Sequence, residues 1–182
     1  MQETLEFIIG VHRDLSAAES DFVSVEREFG PSRARVWDGV VIAKKRDGTE
    51  RIYRRTTNRG SDATATAADL GLATGLAVAL FPSAWIGVGP PTRAASAEIA
   101  AAAACVIQGL GRRALGRLGE GLDAADAALI VAAPETAAVA ARAAMANAES
   151  ILSEWASVDR DLIAAVLAAE GLPQRESASF RT

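Results

Sequence analysis

Few residues in this chain could carry acid–base, nucleophilic or metal chemistry, and they are widely spaced. The single histidine, His12, stands beside Arg13 and Asp14 after an apolar run, and no other cluster resembles a catalytic site as closely. Histidine exchanges protons near neutral pH, which suits it to general acid–base work. One histidine cannot supply a multi-histidine metal site, however, and a histidine at a strand end is usually a loop residue. An enzyme centred on His12 is therefore the third of three hypotheses.

Carboxylates before a later apolar run offer a second kind of chemistry. Glu120, Asp123 and Asp126 could hold a divalent cation, although a solvated turn explains them more simply. The lone Cys105, in AAAAACVIQ, excludes an intramolecular disulfide and is typical of a small buried residue. Neither GxxxxGK[ST] nor CxxC occurs. We expect no catalytic residue, no cofactor and no bound metal.

The elements that would position these residues follow from apolar periodicity and from turn residues. Asp47-Gly48 is the tight-turn dipeptide of a hairpin, because glycine tolerates positive φ. The pattern predicts strands over 5–11, 35–45, 50–56, 126–133 and 149–155, and helices over 15–30, 66–81, 94–118, 134–148 and 159–170.

This order predicts an α+β fold. It indicates a ferredoxin-like split βαβ antiparallel sheet, an inserted Gly/Ala-rich helical hairpin and an additional C-terminal helix capped by Asp159. The expected parts are a βαββ unit over 1–59, the hairpin over 60–121, the strand-helix-strand-helix remainder over 122–171 and a flexible tail over 172–182.

Charge is distributed unevenly around a net value of −4. A basic surface is expected on the hairpin of strands two and three, formed by Lys44, Lys45, Arg46, Arg51, Arg54 and Arg55. Such a surface can attract an anionic membrane, or it can simply be a solvated face. We expect no nucleic-acid partner. The acidic start MQETLEF lacks the basic region of a signal peptide. This predicts a cytoplasmic protein, and membrane association is left open.

The segment Leu70 to Thr92 carries no charge but contains several glycines and prolines. A helix over 66–81 would be about 24 Å long, short of the roughly 30 Å hydrocarbon core of a bilayer. Small residues at four-residue spacing would let two helices approach closely, and we expect them to be the association element: Gly71, Gly75, Ala79, Ala97, Ala101 and Cys105. On a lone molecule this surface would be exposed, so we expect either lipid or a second copy to cover it.

The chain also resembles a known family. The order of FIIGV, VVIAKKRDGTERIY, a Gly/Ala-rich apolar hairpin and RLGEGLDAADAALIVAAPE is similar to a widespread bacterial family of unknown function. Its members are commonly described as membrane proteins with a glycine-rich central segment. The resemblance implies a ferredoxin-like domain interrupted by the hairpin. It implies no catalytic residues.

Together these features favour a non-enzymatic scaffold that self-associates or binds a membrane, with the apolar hairpin as its association element. The alternative is a soluble, dimeric ferredoxin-like sensor of a small ligand. We expect a homo-oligomer in preference to true membrane spanning.

Overall fold

The computed structural model describes residues 2–33, 37–56, 71–82 and 93–159 of the chain. It is an α+β fold in which these residues form a five-stranded antiparallel sheet and four helices. In chain order the elements are β1 (Gln2–His12), α1 (Leu15–Arg33), β2 (Asp38–Lys44), β3 (Glu50–Arg55), α2 (Leu72–Leu80), α3 (Arg93–Asp123), β4 (Ala127–Pro134), α4 (Glu135–Ala144) and β5 (Ser150–Asp159).

All five expected strands are present, but β5 is longer than the sequence indicated. It continues through Asp159, which pairs with Gln2 of β1. The interpretation of Asp159 as a helix cap was therefore wrong, because the alternation of β5 persists to this residue. The helix expected over 159–170 lies outside the described residues after Asp159.

The helices also differ from the expected bounds. α2 begins at Leu72 instead of Thr66, because Gly71 has a left-handed conformation with φ 63° and a right-handed helix cannot continue through it. α1 runs to Arg33, three residues beyond the expected end at Gly30. α3 reaches Asp123, with a break at Gly111, whose φ of 73° interrupts the helical backbone.

The strand order is β3-β2-β4-β1-β5, with every neighbouring pair antiparallel. β4 lies between β1 and β2, so the connection through α1 passes over one strand. The connection from β4 through α4 to β5 likewise passes over β1. The predicted hairpin of β2 and β3 is present, and it leaves β3 at one edge of the described sheet.

Helices cover both faces of this sheet. On one face α1 and α4 bury side chains such as Phe22 and Ala138 against Ile8 and Leu129. On the opposite face α2 and α3 bury side chains such as Leu76 against Phe7 and Ile130. The strands β1, β2 and β4 read as continuous apolar runs because their side chains are buried on both faces. The Gly/Ala-rich hairpin is thus the third layer of the domain.

Candidate functional site

The two helices of the hairpin approach each other closely at a glycine. A Cβ placed on Gly75 would lie 2.8 Å from the backbone carbon of Ala102 and 2.8 Å from the backbone nitrogen of Ala103. Only glycine permits this approach without moving the α3 backbone. The structure thus places Gly75, one of the predicted association residues, against α3 of its own chain.

The remaining predicted association residues have different surroundings. Ala101 and Cys105 are buried in the core between the hairpin and the sheet, and Ala79 is half-buried. Gly71 precedes α2. Ala97 belongs to α3, but its side chain lies outside the part that the structure describes. Gly75, Ala101 and Cys105 are thus covered by their own chain, and they require neither a second copy nor lipid to leave water.

The packing of α3 also extends to β5. Gly109 of α3 lies against β5, since a Cβ there would be 2.7 Å from the carbonyl oxygen of Ser157. Among the described residues, no helix combines the length and the apolarity that crossing a bilayer requires.

A buried carboxylate fastens the hairpin to the sheet. Asp38 starts β2, and its Oδ2 accepts a hydrogen bond of 2.7 Å from the backbone N–H of Ala73 in the first turn of α2. Its Oδ1 accepts from the hydroxyl of Thr56. Burial raises the pKa of Asp38, and hydrogen bonds from Thr56, Ala73, Thr74 and Gly39 oppose that rise. Asp38 thus acts as a helix cap supplied from another element.

His12 forms a second buried polar link. Its Nδ1 lies 2.9 Å from the carbonyl oxygen of Gly10, and its Nε2 lies 2.8 Å from Oδ2 of Asp21 on α1. A carbonyl oxygen only accepts, so Nδ1 is the donor there. His12 and Asp21 are both buried. A general base needs a nitrogen within reach of its substrate, whereas both nitrogens of His12 contact the chain itself.

Asp21 joins the same link to the loop before β5. It accepts hydrogen bonds from the backbone N–H of Asn147 at 3.0 Å and from the Asn147 side-chain amide at 2.7 Å. Gly10 permits this assembly, because a Cβ there would lie 2.9 Å from Cε1 of His12. The cluster joins β1, α1 and the loop after α4. In this geometry neither ring nitrogen of His12 is accessible to a substrate. The third hypothesis, an enzyme centred on His12, therefore gains no support from it.

One further buried charge lies on the same face of the sheet. Glu6 of β1 is fully buried, and its Oε1 accepts a hydrogen bond of 2.7 Å from Nη1 of Arg142 on α4. The sequence alone did not single out Glu6, Asp21 or Asp38. For Glu6 and Asp38, an acidic residue in an apolar strand was the available signal, and it indicates a carboxylate that needs a donor from another element. Asp21 lies on α1 and carried no such signal.

The candidate cation ligands do not form a site in the described structure. Within residues 2–33, 37–56, 71–82 and 93–159, no three side chains of His, Cys, Asp or Glu are arranged to hold a metal ion. The backbone carbonyl oxygens of Asp123 and Asp126 instead accept hydrogen bonds from Nζ and the backbone N–H of Lys44, at 2.5 Å and 2.9 Å. These contacts join the end of α3 to β2.

A shallow pocket lies between the ends of β2 and β4 and the hairpin. Its water-accessible volume is about 10 Å³, and it is lined by Ile42, Lys44, Phe81, Leu122, Asp126 and Ala128, among others. Sites for metabolites usually enclose roughly 300–1,000 Å³. This pocket therefore gives no support to the sensor hypothesis, which stays a prediction.

The predicted basic surface lies along β3 and the turn before it. Lys45, Arg46, Arg51 and Arg55 are exposed. The guanidinium of Arg54 lies 4.5 Å from the ring centroid of Phe22 and forms an ion pair of 3.1 Å with Glu26. β3 has six residues, and its register with β2 shifts between Val41 and Ile42. This edge of the described sheet is short, irregular and charged.

The opposite edge has different properties. β5 has ten residues that pair with β1 in one unbroken register. Trp155 and Ile151 are exposed to 47% and 40%, respectively, and both are large apolar side chains. Glu154 is ion-paired with Arg117 of α3 at 2.6 Å. The sequence predicted a strand here but gave no sign that it would lie at an edge.

Comparison with known proteins adds no relative. No protein-family model, no curated protein and no solved structure matches the chain. The resemblance to a bacterial family of unknown function therefore stays a prediction.

Proposed function

We propose that this protein is a non-enzymatic, self-associating scaffold whose association surface is the edge that β5 forms in the described sheet. The single observation that carries the proposal is the contrast between the two edges of the described sheet. Edge strands expose unpaired backbone groups, and proteins that stay monomeric protect them with charge, proline, bulges or short length. β3 is short, has three arginines and has a register shift, whereas β5 is longer, has neither lysine, arginine nor proline, and pairs with β1 in an unbroken register.

The protection of β3 is visible in its residues. Arg51, Arg54 and Arg55 place three cations on a strand of six residues, and the register shift at Val41 and Ile42 disturbs its backbone ladder. A second strand would have to approach these cations while pairing with an irregular edge. This gives the basic surface a role as edge protection, in preference to contact with an anionic membrane.

β5 has the properties of a strand that accepts a partner. It contains neither lysine nor proline, and its central carboxylate, Glu154, is held in an ion pair with Arg117 of α3. Ile151 and Trp155 expose large apolar area on the face away from α3. Burial of apolar area contributes roughly 25 cal/mol per Å², so covering these two side chains would favour association.

This proposal keeps the expected homo-oligomer but relocates its contact. The hairpin was expected to need a partner because its apolar surface would otherwise be exposed. Since the described parts of α2 and α3 bury apolar side chains on their own sheet, we place the contact on β5 instead, where Ile151 and Trp155 are two of the large apolar side chains that stay exposed among the described residues.

We also propose that the fold is the ferredoxin-like split βαβ arrangement with the hairpin inserted. Two observations support it. The order β5-β1-β4-β2 contains two crossovers that each pass over one strand, and both crossover helices, α1 and α4, pack on the same face. β3 is then an addition at the edge, and α2 and α3 are the insertion that covers the opposite face. Fold by itself assigns no function.

The molar mass of the purified protein in detergent-free buffer tests the proposed function. Light scattering across a wide concentration range should give a defined multiple of the 18.9 kDa chain. Trp155→Arg should lower the mass, because a charge would replace the apolar side chain at the proposed contact. Val139→Arg is the matched control, since Val139 is also exposed but lies on α4. A wild-type monomer at every concentration would refute the proposal.

A further inference from the structure

We infer that two copies of the chain pair antiparallel through β5, with Trp155 facing Trp155 of the second copy on a two-fold axis. This inference rests on the proposed function and specifies its partner and register. The result would be one continuous sheet of ten strands, because each copy contributes the five described strands. An isologous contact of this kind closes on itself and produces a dimer.

The geometry of antiparallel pairing limits the possible registers. Side chains directly opposite each other in an antiparallel pair lie on the same face of the sheet. Successive side chains of one strand alternate between the faces. In a two-fold pairing, a residue of one copy can therefore lie opposite only the same residue of the second copy or a residue an even number of positions from it. The axis must pass beside a residue and cannot fall between two residues.

Two central residues give the longest overlap of the ten-residue strand. With Glu154 on the axis, residues 150–158 pair, and with Trp155 on the axis, residues 151–159 pair. The first register places the side chain of Glu154, which is 21% exposed, directly opposite its own copy. Like charges directly opposite each other destabilise a sheet. The second register avoids this contact, since it places Glu154 opposite Ala156.

The favoured register also joins apolar side chains on both faces. On the face away from α3, Trp155 meets its own copy, and aromatic pairs across strands are favourable. On the face covered by α3, half-buried Leu152 is opposite Val158. Ser153 is opposite Ser157, and both are exposed, so they can be substituted with little effect on the core. This Ser153–Ser157 pairing belongs to this register alone.

The two serines provide a register-specific test. The double variant Ser153→Lys with Ser157→Lys would place like charges opposite each other twice across the axis. It should raise the dimer dissociation constant by about tenfold or more. The matched variant Ser153→Lys with Ser157→Glu would place opposite charges there and should retain the wild-type constant or lower it. Analytical ultracentrifugation measures the dimer dissociation constant of the wild type and of both double variants, and circular dichroism confirms that all three are folded.

The outcomes separate this inference from the proposed function. A wild-type dimer that responds differently to the two charge patterns supports both proposals. A wild-type oligomer that responds equally to both patterns overturns the Trp155-centred register but leaves self-association in place. A wild-type monomer overturns both proposals, because it would mean that no second copy pairs with β5.

Discussion

Asp38 on β2 and Ala73 on α2 are 35 residues apart in sequence, yet the Asp38 carboxylate accepts a 2.7 Å hydrogen bond from the Ala73 backbone N–H. This contact fastens the first turn of the apolar hairpin to the sheet. The same carboxylate is buried, and its pKa is raised by that burial. The hairpin is thus attached by a group whose charge is unfavourable in its surroundings, which gives a testable dependence of stability on pH.

Replacing Asp38 should change how stability varies with pH. Because burial raises the folded-state pKa of Asp38, the folded chain keeps this proton at pH values where the unfolded chain has lost it. The contribution of this group to the free energy of unfolding is therefore fully present below the ordinary pKa of 3.8 and is lost as the pH rises through the folded pKa. Urea unfolding measures the free energy of unfolding of the wild type and of Asp38→Asn. The wild-type value minus the variant value should fall as the pH increases.

Asp47→Asn is a control of opposite sign. The side chain of Asp47 accepts hydrogen bonds from Thr49, which lower its pKa. Its contribution should be present above pH 3.8 and should disappear as the pH falls through the lowered folded pKa. The assignment of Asp38 as a buried titrating cap is wrong if the difference in free energy of unfolding between the wild type and Asp38→Asn stays constant or grows as the pH rises.

Enlarging Gly75 should destabilise the fold. The added methyl group of Gly75→Ala would meet the α3 backbone at 2.8 Å, and overpacking of this kind usually costs about 1–3 kcal/mol. Gly116→Ala is the matched control, because a Cβ on Gly116 would meet nothing within 4 Å. It should stabilise the protein by about 0.4–1 kcal/mol through a less flexible unfolded chain. Chemical denaturation measures the free energy of unfolding of both variants. Equal changes in the two variants would contradict the close contact of α2 with α3.

Breaking the pair of His12 and Asp21 should have a large effect on stability. Removing one partner of a buried pair usually costs about 3–5 kcal/mol, and His12→Ala would take one hydrogen-bond partner from buried Asp21, which keeps those of Asn147. His12→Ala should therefore lower the free energy of unfolding by an amount in this range. Arg13→Ala is the control, because the Arg13–Asp14 pair is exposed and such pairs are worth about 0–1 kcal/mol. Similar losses in both variants would show that the His12 cluster is not a structural link.

The sequence was sufficient to predict the strands because their signals are local. The runs around Ile8 and Ile130 are apolar and bounded by turn residues. The Asp47-Gly48 turn forms as expected, with φ of 81° at Gly48 and a hydrogen bond from its N–H to the carbonyl oxygen of Lys45. The α+β class with an antiparallel sheet follows from these local patterns.

What covers the hairpin could not be predicted from local patterns. The sequence shows that the segment around Leu76 is apolar, but apolarity alone does not distinguish lipid, a second copy and the same chain. The deciding contacts are those between Gly75 and Ala102 and between Asp38 and Ala73, which are distant in sequence. The edge position of β5 has the same origin, since it depends on β4 entering between β1 and β2.

The account depends most on the claim that the hairpin is buried by its own chain and not by a partner. Cys105 reports on this directly, since it is buried on α3, and burial, together with the nearby Asp159 carboxylate, raises the pKa of its thiol. The measurement is the rate of Cys105 labelling by a thiol reagent across a dilution series, repeated with the Ser153→Lys, Ser157→Lys variant. The account predicts slow labelling at every dilution and in both proteins. Labelling that accelerates as the oligomer dissociates would show that a second copy covers the hairpin and would contradict the account.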